Sequence, residues 1–227
     1  MRLFVTDVFF DLDHTLWDFE KNSALTFQQI FIDNAIKIKL DDFLEVYIPK
    51  NFEFWKLYRE EKITKEKLRY LRLKDTFDEL GCIVNDNLIN KLADDYIENL
   101  SKYNHLIENT VEILDYLQPK YKLHIITNGF EQVQNAKLKN SNIEHFFTHI
   151  INSETTGVKK PNPIIFEHAL SKAKVKPENT VMIGDNLEAD IIGAKNIGMN
   201  TIFFDLHTSF EHKYLAIRNL LEIKSYL

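Results

Sequence analysis

Asp11 and Asp13 stand one residue apart, with His14 and Thr15 directly after them. Two carboxylates this close repel each other wherever water is scarce. A hard divalent cation such as Mg²⁺, held through oxygen ligands, is their natural partner. The run before them, residues 3–8 (Leu-Phe-Val-Thr-Asp-Val), is mostly apolar, β-branched and aromatic. It reads as a strand buried on both faces, the habit of a parallel sheet covered by helices. In open α/β sheets, ligands gather beyond the carboxyl ends of strands, where Asp11 and Asp13 fall. Taken alone, residues 9–16 fit a metal-dependent catalytic turn and equally an acidic turn that merely stops a strand.

Three further stretches leave apolar runs into polar chemistry. Ile125-Ile126-Thr127-Asn128-Gly129 offers a hydroxyl, an amide and backbone N–H groups, the makings of a phosphate cradle. Gly157-Val158-Lys159-Lys160-Pro161 offers a cation in front of a helix that Asn162 caps and Pro163 opens. Ile183-Gly184-Asp185, followed by Asp190, returns two more carboxylates. Singly each is ordinary: lysine pairs are usually solvated, and Gly-Asp is a common turn. Their shared place at strand ends is the stronger signal.

The elements that must position these groups fall into two patterns. From Trp17 to about Leu100 the apolar spacing is helical. Ala24, Phe27 and Phe31 mark a first helix, and a second follows Pro49 with Phe52, Trp55 and Tyr58. Thr64 caps a third that Gly81 stops, and a fourth spans 87–100. After Tyr103 strands and helices alternate: strands at 121–126, 147–151, 180–183 and 201–204, helices at 130–138, 164–173 and 187–197. Asn109 with Glu112 is read as a capping box, and the tail 210–223 has helical spacing. Repeated strand–helix units imply parallel strands joined by right-handed crossovers. The expected fold is α/β: a Rossmann-like, three-layer core with a parallel five-stranded sheet, formed by residues 1–16 and 104–227, and an all-helical insert at 17–103.

Composition narrows the function further. The 227 residues are 44% hydrophobic and 27% charged, enough for a true core in a water-soluble chain. A net charge of −6 without a basic block argues against a nucleic-acid polymer as partner, but not against a small phosphorylated one. Cys82 is the single cysteine, so an intrachain disulfide and a structural cysteine–zinc site are excluded. No apolar run is long enough to span a membrane, and the first residues already read as strand, not as a signal peptide. A cytoplasmic location is the expectation.

In this order, Asp-x-Asp-x-Thr, Thr-Asn, Lys-Pro and Gly-Asp-x₄-Asp resemble the motifs of the haloacid dehalogenase superfamily of phosphohydrolases, across Phe9 to Asp190. The insert stands where that family carries its first type of cap domain, and the family's sheet has its first strand in the middle. The resemblance implies that Asp11 is the nucleophile, forming an aspartyl-phosphate, and that Asp13 is the general acid and base. It implies Mg²⁺ held by Asp11, the backbone carbonyl of Asp13 and Asp185, with Asp190 orienting metal waters or Lys160. Thr127, Asn128 and Lys160 would bind the phosphoryl oxygens. Lys160, not Lys159, matches the family's Lys-Pro pair. His14 departs from the glycine most common at its position. Histidine tolerates a left-handed backbone, so the turn can survive; a catalytic-base role is the alternative, though Asp13 already fills it.

Residues 10–23, Phe-Asp-Leu-Asp-His-Thr-Leu-Trp-Asp-Phe-Glu-Lys-Asn-Ser, resemble more narrowly the noncanonical pyrimidine nucleotidases, as does the stretch from Phe54 to Arg69. This implies a small phosphorylated metabolite as substrate, a pyrimidine nucleoside monophosphate, with Trp17 and Asn22 placed to meet base or ribose or to form a structural hinge. A phosphatase of sugar phosphates or other small metabolites is the main rival. A phosphomutase would keep all four motifs, whereas a 2-haloacid dehalogenase has no use for an acid at Asp13 or for Mg²⁺. A non-enzymatic binding module would be expected to have lost a catalytic residue, and none is missing.

Overall fold

The computed structural model describes residues 3–206 and 213–227. The chain divides into two compact units, Met1–Phe19 with Asn104–Leu227, and Glu20–Tyr103. Among the described residues no helix is long and apolar enough to cross a membrane.

The first unit is built on strands β1 (Asp7–Phe10), β2 (Lys122–Thr127), β3 (Phe147–Asn152), β4 (Thr180–Gly184), β5 (Asn200–Phe204) and β6 (Ala216–Ile217). All pair in parallel, in the order β3-β2-β1-β4-β5-β6. Every residue of β1 is buried. Successive side chains point to opposite faces, so both faces of this strand are covered. Phe9 lies level with His124 on one side and Met182 on the other. It heads an apolar cluster with Ile126, Ile151, Met182 and Ile165, Phe166 and Ala169 of the helix at 163–173. Burying a phenylalanine there contributes about 1.5–3 kcal/mol. Because β1 is central, the chain leaves it between β2 and β4, where the strand order reverses and a crevice opens.

The second unit holds α1 (Phe19–Asp33, entered from the first unit), α2 (Leu40–Arg59), α3 (Lys65–Glu79) and α4 (Asp86–Asn99). Thr64 and Asn85 cap α3 and α4 by accepting from Lys67 N and Leu88 N. Rings of Phe27, Phe31, Phe43, Tyr47, Phe77 and Tyr96 interlock at its centre. Arg72 is buried among them, 4.8 Å from the Tyr96 ring centre and donating to Asn51 Oδ1 at 3.0 Å. The remaining helices belong to the first unit: α5 (Thr110–Leu117), α6 (Glu131–Asn140), the single turn α7 (Ser153–Thr156), α8 (Pro163–Ala173) and α9 (Gly193–Asn196). A π-helical stretch, Leu187–Ile192, precedes α9.

Several local expectations are corrected. The first strand starts at Asp7 rather than Leu3, and Phe4 is 99% exposed. Pro49 does not precede the second helix but lies inside α2, which runs on to Arg59. Asn109 is left-handed at φ 66° and makes no side-chain cap; the capping box is formed instead by Asn219 and Glu222. Of the tail read as helical, residues 210–212 lie outside the described residues. The rest forms β6 and a 3₁₀ turn, Leu220–Ser225, so the sheet has six strands rather than five.

Candidate active site

The site starts where β1 stops. Asp11 continues the ladder by one rung, its N–H donating to Ile183 O at 2.9 Å. The chain then turns sharply, with Leu16 N and Trp17 N both donating to Leu12 O at 2.9 Å. His14 takes φ 63° within this turn and donates its N–H to Trp17 O. That is the left-handed conformation its place in the sequence called for. Asp11 is 8% exposed, so its carboxylate is held at the bottom of the turn.

Lys160 reaches Asp11 from the loop ahead of α8. It is 2% exposed, and its Nζ lies 2.5 Å from Asp11 Oδ1, 2.7 Å from Asp190 Oδ1 and 2.6 Å from Ile126 O. The ammonium donates hydrogen bonds to Asp11 and to Ile126 O, while its contact with Asp190 is an ion pair. Asn128 holds the loop by accepting from Lys160 N at 2.7 Å and donating to Lys160 O at 3.0 Å. Behind it Asn162 accepts from Ile164 N and Pro163 opens α8. The amide of Asn128 is therefore engaged in placing the lysine.

The carboxylates of Asp11, Asp185 and Asp190 bring one oxygen each within 4.8 Å of one another. Asp190 Oδ2 accepts from Asn186 N at 3.0 Å, and Thr15 Oγ1 donates to Asp185 Oδ1 at 3.2 Å. Burial pushes the Asp11 carboxyl well above the usual range, Lys160 opposes this, and Asp190 and Asp185 reinforce it. Removal from water and then Asp190 push Asp185 up to about 8, against Lys160 and the Thr15 hydroxyl. Burial would lower Lys160, but contact with Asp11 and Asp190 leaves it above the ordinary lysine value. One ammonium among three clustered carboxylates leaves negative charge uncompensated. An all-oxygen, acidic donor set of this kind fits a hard divalent cation.

Asp13 carries its carboxylate elsewhere, to Lys137 Nζ at 2.5 Å and Gln134 Nε2 at 2.9 Å, both on α6. Thr127, 1% exposed at the end of β2, accepts from Gln134 Nε2 at 2.7 Å. Asp11, Asp185, Asp190 and Lys160 are thus one connected group, and Asp13 and Thr127 join through Gln134. Trp17 and Asn22 are both fully buried, and the Trp17 ring lies 4.3 Å from Lys137 Nζ. Sequence reasoning named Thr15 within its motif but gave it no role of its own, and it missed Gln134 and Lys137. The available signal was a polar pair three residues apart on the face of α6 that also carries Val133 and Leu138.

The chain is similar in sequence and fold to known proteins. The family model described as haloacid dehalogenase-like hydrolase matches residues 8–198. The pyrimidine 5'-nucleotidase YjjG of Escherichia coli (strain K12) is 30% identical over 88% of this chain and 86% of its own length. The glyceraldehyde 3-phosphate phosphatase of Methanothermobacter thermautotrophicus is 31% identical over 95% of this chain and 92% of its own. Among solved structures, the putative hydrolase YfnB from Bacillus subtilis, bound to magnesium, superposes with a TM-score of 0.88 at 29% identity, covering 99% of this chain and 98% of that one.

Proposed function

The chain belongs to the haloacid dehalogenase-like hydrolases and is a phosphoric monoester hydrolase; from that premise we propose that it hydrolyses pyrimidine nucleoside 5'-monophosphates with Mg²⁺ and with Asp11 as nucleophile. The observation that carries the mechanism is the pairing of a buried Lys160 with Asp11, beside a second aspartate, Asp13, two residues on. An Asp11 oxygen attacks phosphorus, and the bond from phosphorus to the ester oxygen breaks. Its electron pair goes to the leaving oxygen, which takes a proton from Asp13. Water then attacks phosphorus of the aspartyl-phosphate and gives its proton to the Asp13 carboxylate. The bond to Asp11 breaks, releasing inorganic phosphate and restoring both aspartates.

Thr127 and Lys160 meet the charge on the transferring group, Lys160 with an ammonium already fixed by its three contacts. Asn128 acts through Lys160, by clamping its backbone. Asp11, Asp185 and the backbone carbonyl of Asp13 would hold Mg²⁺, with Asp190 orienting Lys160. When bound, the ion supplies charge neutralisation to the carboxylates and to the phosphoryl oxygens. Support for magnesium comes from the acidic donor set and from the magnesium-bound Bacillus subtilis relative. The free thiol of Cys82 suits a reducing, cytoplasmic setting.

The pyrimidine nucleotide as substrate is supported by the Escherichia coli relative and by the resemblance of residues 10–23 to that branch. A second reading, a small sugar phosphate, is favoured by the Methanothermobacter relative at similar identity. Phosphate release with Mg²⁺, compared over pyrimidine and purine monophosphates and triose and hexose phosphates, separates them. The expected result is the highest kcat/KM for pyrimidine monophosphates. Preference for a sugar phosphate would replace the substrate and keep the mechanism.

A further inference from the structure

Gln134 and Lys137 have no part in the mechanism above, although both are almost completely buried. Burying an ammonium is costly unless it is paired. Lys137 Nζ meets Asp13 Oδ1 at 2.5 Å and lies 4.3 and 5.3 Å from the ring centres of Trp17 and Phe19. The other oxygen of that carboxylate accepts from Gln134 Nε2 at 2.9 Å. Nε2 has a second proton, and this one is directed to Thr127 Oγ1 at 2.7 Å. A carboxylate only accepts, so Asp13 fixes which end of the amide faces it.

The same contact sets the direction of the threonine hydroxyl. Thr127 Oγ1 accepts from Gln134 and also from Gly129 N at 3.1 Å. A hydroxyl has two lone pairs and one proton, so with both lone pairs taken it is left to donate. Gly129 leaves the path open, because a β-carbon there would lie 2.4 Å from Gln134 Cδ. The glycine after Thr127-Asn128 is therefore explained by the side chain that crosses it.

We propose that Gln134 and Lys137 are the positioning residues of the acid–base carboxylate Asp13, and that Gln134 also commits the Thr127 hydroxyl to donate to the transferring phosphoryl group. With both oxygens tied, the carboxyl plane is fixed, and each oxygen keeps a second lone pair for the transferable proton. One amide joins the group that protonates the leaving oxygen to the group that binds phosphoryl. The inference rests on the role of Asp13 proposed above, and its test separates the two.

A general acid matters most when the leaving group is a poor one. The experiment measures kcat/KM with Mg²⁺ over phosphomonoesters of graded leaving-group acidity, from p-nitrophenyl phosphate to uridine 5'-monophosphate and simple alkyl phosphates. Wild type is compared with Gln134→Met, Lys137→Met, Lys137→Arg and Asp13→Asn, each checked for folding by near-UV circular dichroism. Lys137→Met should lose about 10- to 100-fold on alkyl esters, part of what a placed acid contributes, and much less on p-nitrophenyl phosphate. Gln134→Met should show the same dependence on the leaving group on top of a further loss common to every ester, because Thr127 is no longer held as a donor. Lys137→Arg should recover part of the loss. A loss of equal proportion across the series, or no loss, overturns the inference while Asp13→Asn still discriminates between leaving groups. If Asp13→Asn itself shows no such discrimination, the acid role fails and the positioning inference falls with it. Should Lys137→Met not fold, the leaving-group dependence of Gln134→Met reads the positioning of Asp13.

Discussion

Gly184 and Asp190 share one space: a β-carbon on the glycine would lie 2.3 Å from Asp190 Oδ2 and 2.7 Å from its Cβ. The end of β4 therefore has no side chain because the aspartate needs the room to reach Lys160. Gly184→Ala forces Asp190 to move, or shifts the strand, and overpacking of this kind costs about 1–3 kcal/mol. The expected outcome is a lower melting temperature and a clear loss of phosphate release. The cause is isolated by Gly184→Ala combined with Asp190→Gly, which removes the β-carbon at 190 along with the carboxylate. If the clash is with the aspartate, the alanine at 184 should cost little more in stability once Asp190 is gone. Strictly additive losses would place the strain elsewhere.

Asp11→Asn keeps the shape of the side chain and removes the charge that attacks phosphorus. Turnover should drop by on the order of 10⁴-fold or more, as expected for a nucleophile, while the far- and near-UV spectra stay native. Turnover within tenfold of wild type would rule out the aspartyl-phosphate route.

Metal binding should be visible without turnover. Mg²⁺ added to chelator-treated protein should raise the melting temperature in a concentration-dependent way, because an ion that binds the folded chain stabilises it. It should restore phosphate release in parallel. Asp185→Ala removes one of few carboxylate ligands, so both effects should shift to far higher Mg²⁺. Metal-stripped protein that is fully active in chelator, with an unmoved melting curve, would defeat this reading.

How much of this was legible follows from how the chain brings the groups together. Asp11, Thr127 and Asp185 each sit within a residue or two of the end of an apolar run, so strand patterning alone puts them at one edge of the sheet. Gln134 and Lys137 are 121 and 124 residues from Asp13, and no local pattern announces that they will meet it. Asn128 was read as a phosphate contact because an amide suits that role; that its side chain also grips the backbone of Lys160, 32 residues on, has no local signal. Phe4 and Phe9 look alike as apolar residues, but only Phe9 has neighbouring strands on both sides. Trp17 and Asn22 follow the catalytic turn directly, which suggested either a substrate contact or a structural hinge; their complete burial depends on distant packing that the sequence does not display. Pro49 would end many helices, and the continuation of α2 beyond it cannot be seen from composition.

The last prediction concerns acid stability, away from the catalytic groups. His124 on β2 is fully buried, with Phe9 and His149 ring centres at 4.6 and 5.2 Å. Its Nε2 pairs with Asp7 Oδ1 at 2.9 Å, while Nδ1 is buried without a partner. A neutral ring donating from Nε2 satisfies Asp7; a second proton on Nδ1 would be buried with nowhere to go. Burial chiefly lowers the pKa of His124, outweighing the raising effect of Asp7, with His149 and Lys122 adding to the depression. Half-buried His149 is lowered too, first by desolvation and then by Lys172 and Lys122. The unfolded chain takes up these protons near the ordinary histidine value of about 6.5, before the folded chain does. Between the depressed folded pKa and that value the unfolded state holds more protons, so stability rises with pH there. The histidine contribution is complete above about pH 7 and is lost as the pH falls below about 6.5. Urea unfolding at pH 7.5, 6.5 and 5.5 measures it, with His124→Gln as the comparison. Glutamine keeps an N–H for Asp7 and cannot titrate, so the variant should lose less stability than wild type between pH 7.5 and 5.5. Parallel losses in the two proteins would show that His124 is not the group that titrates.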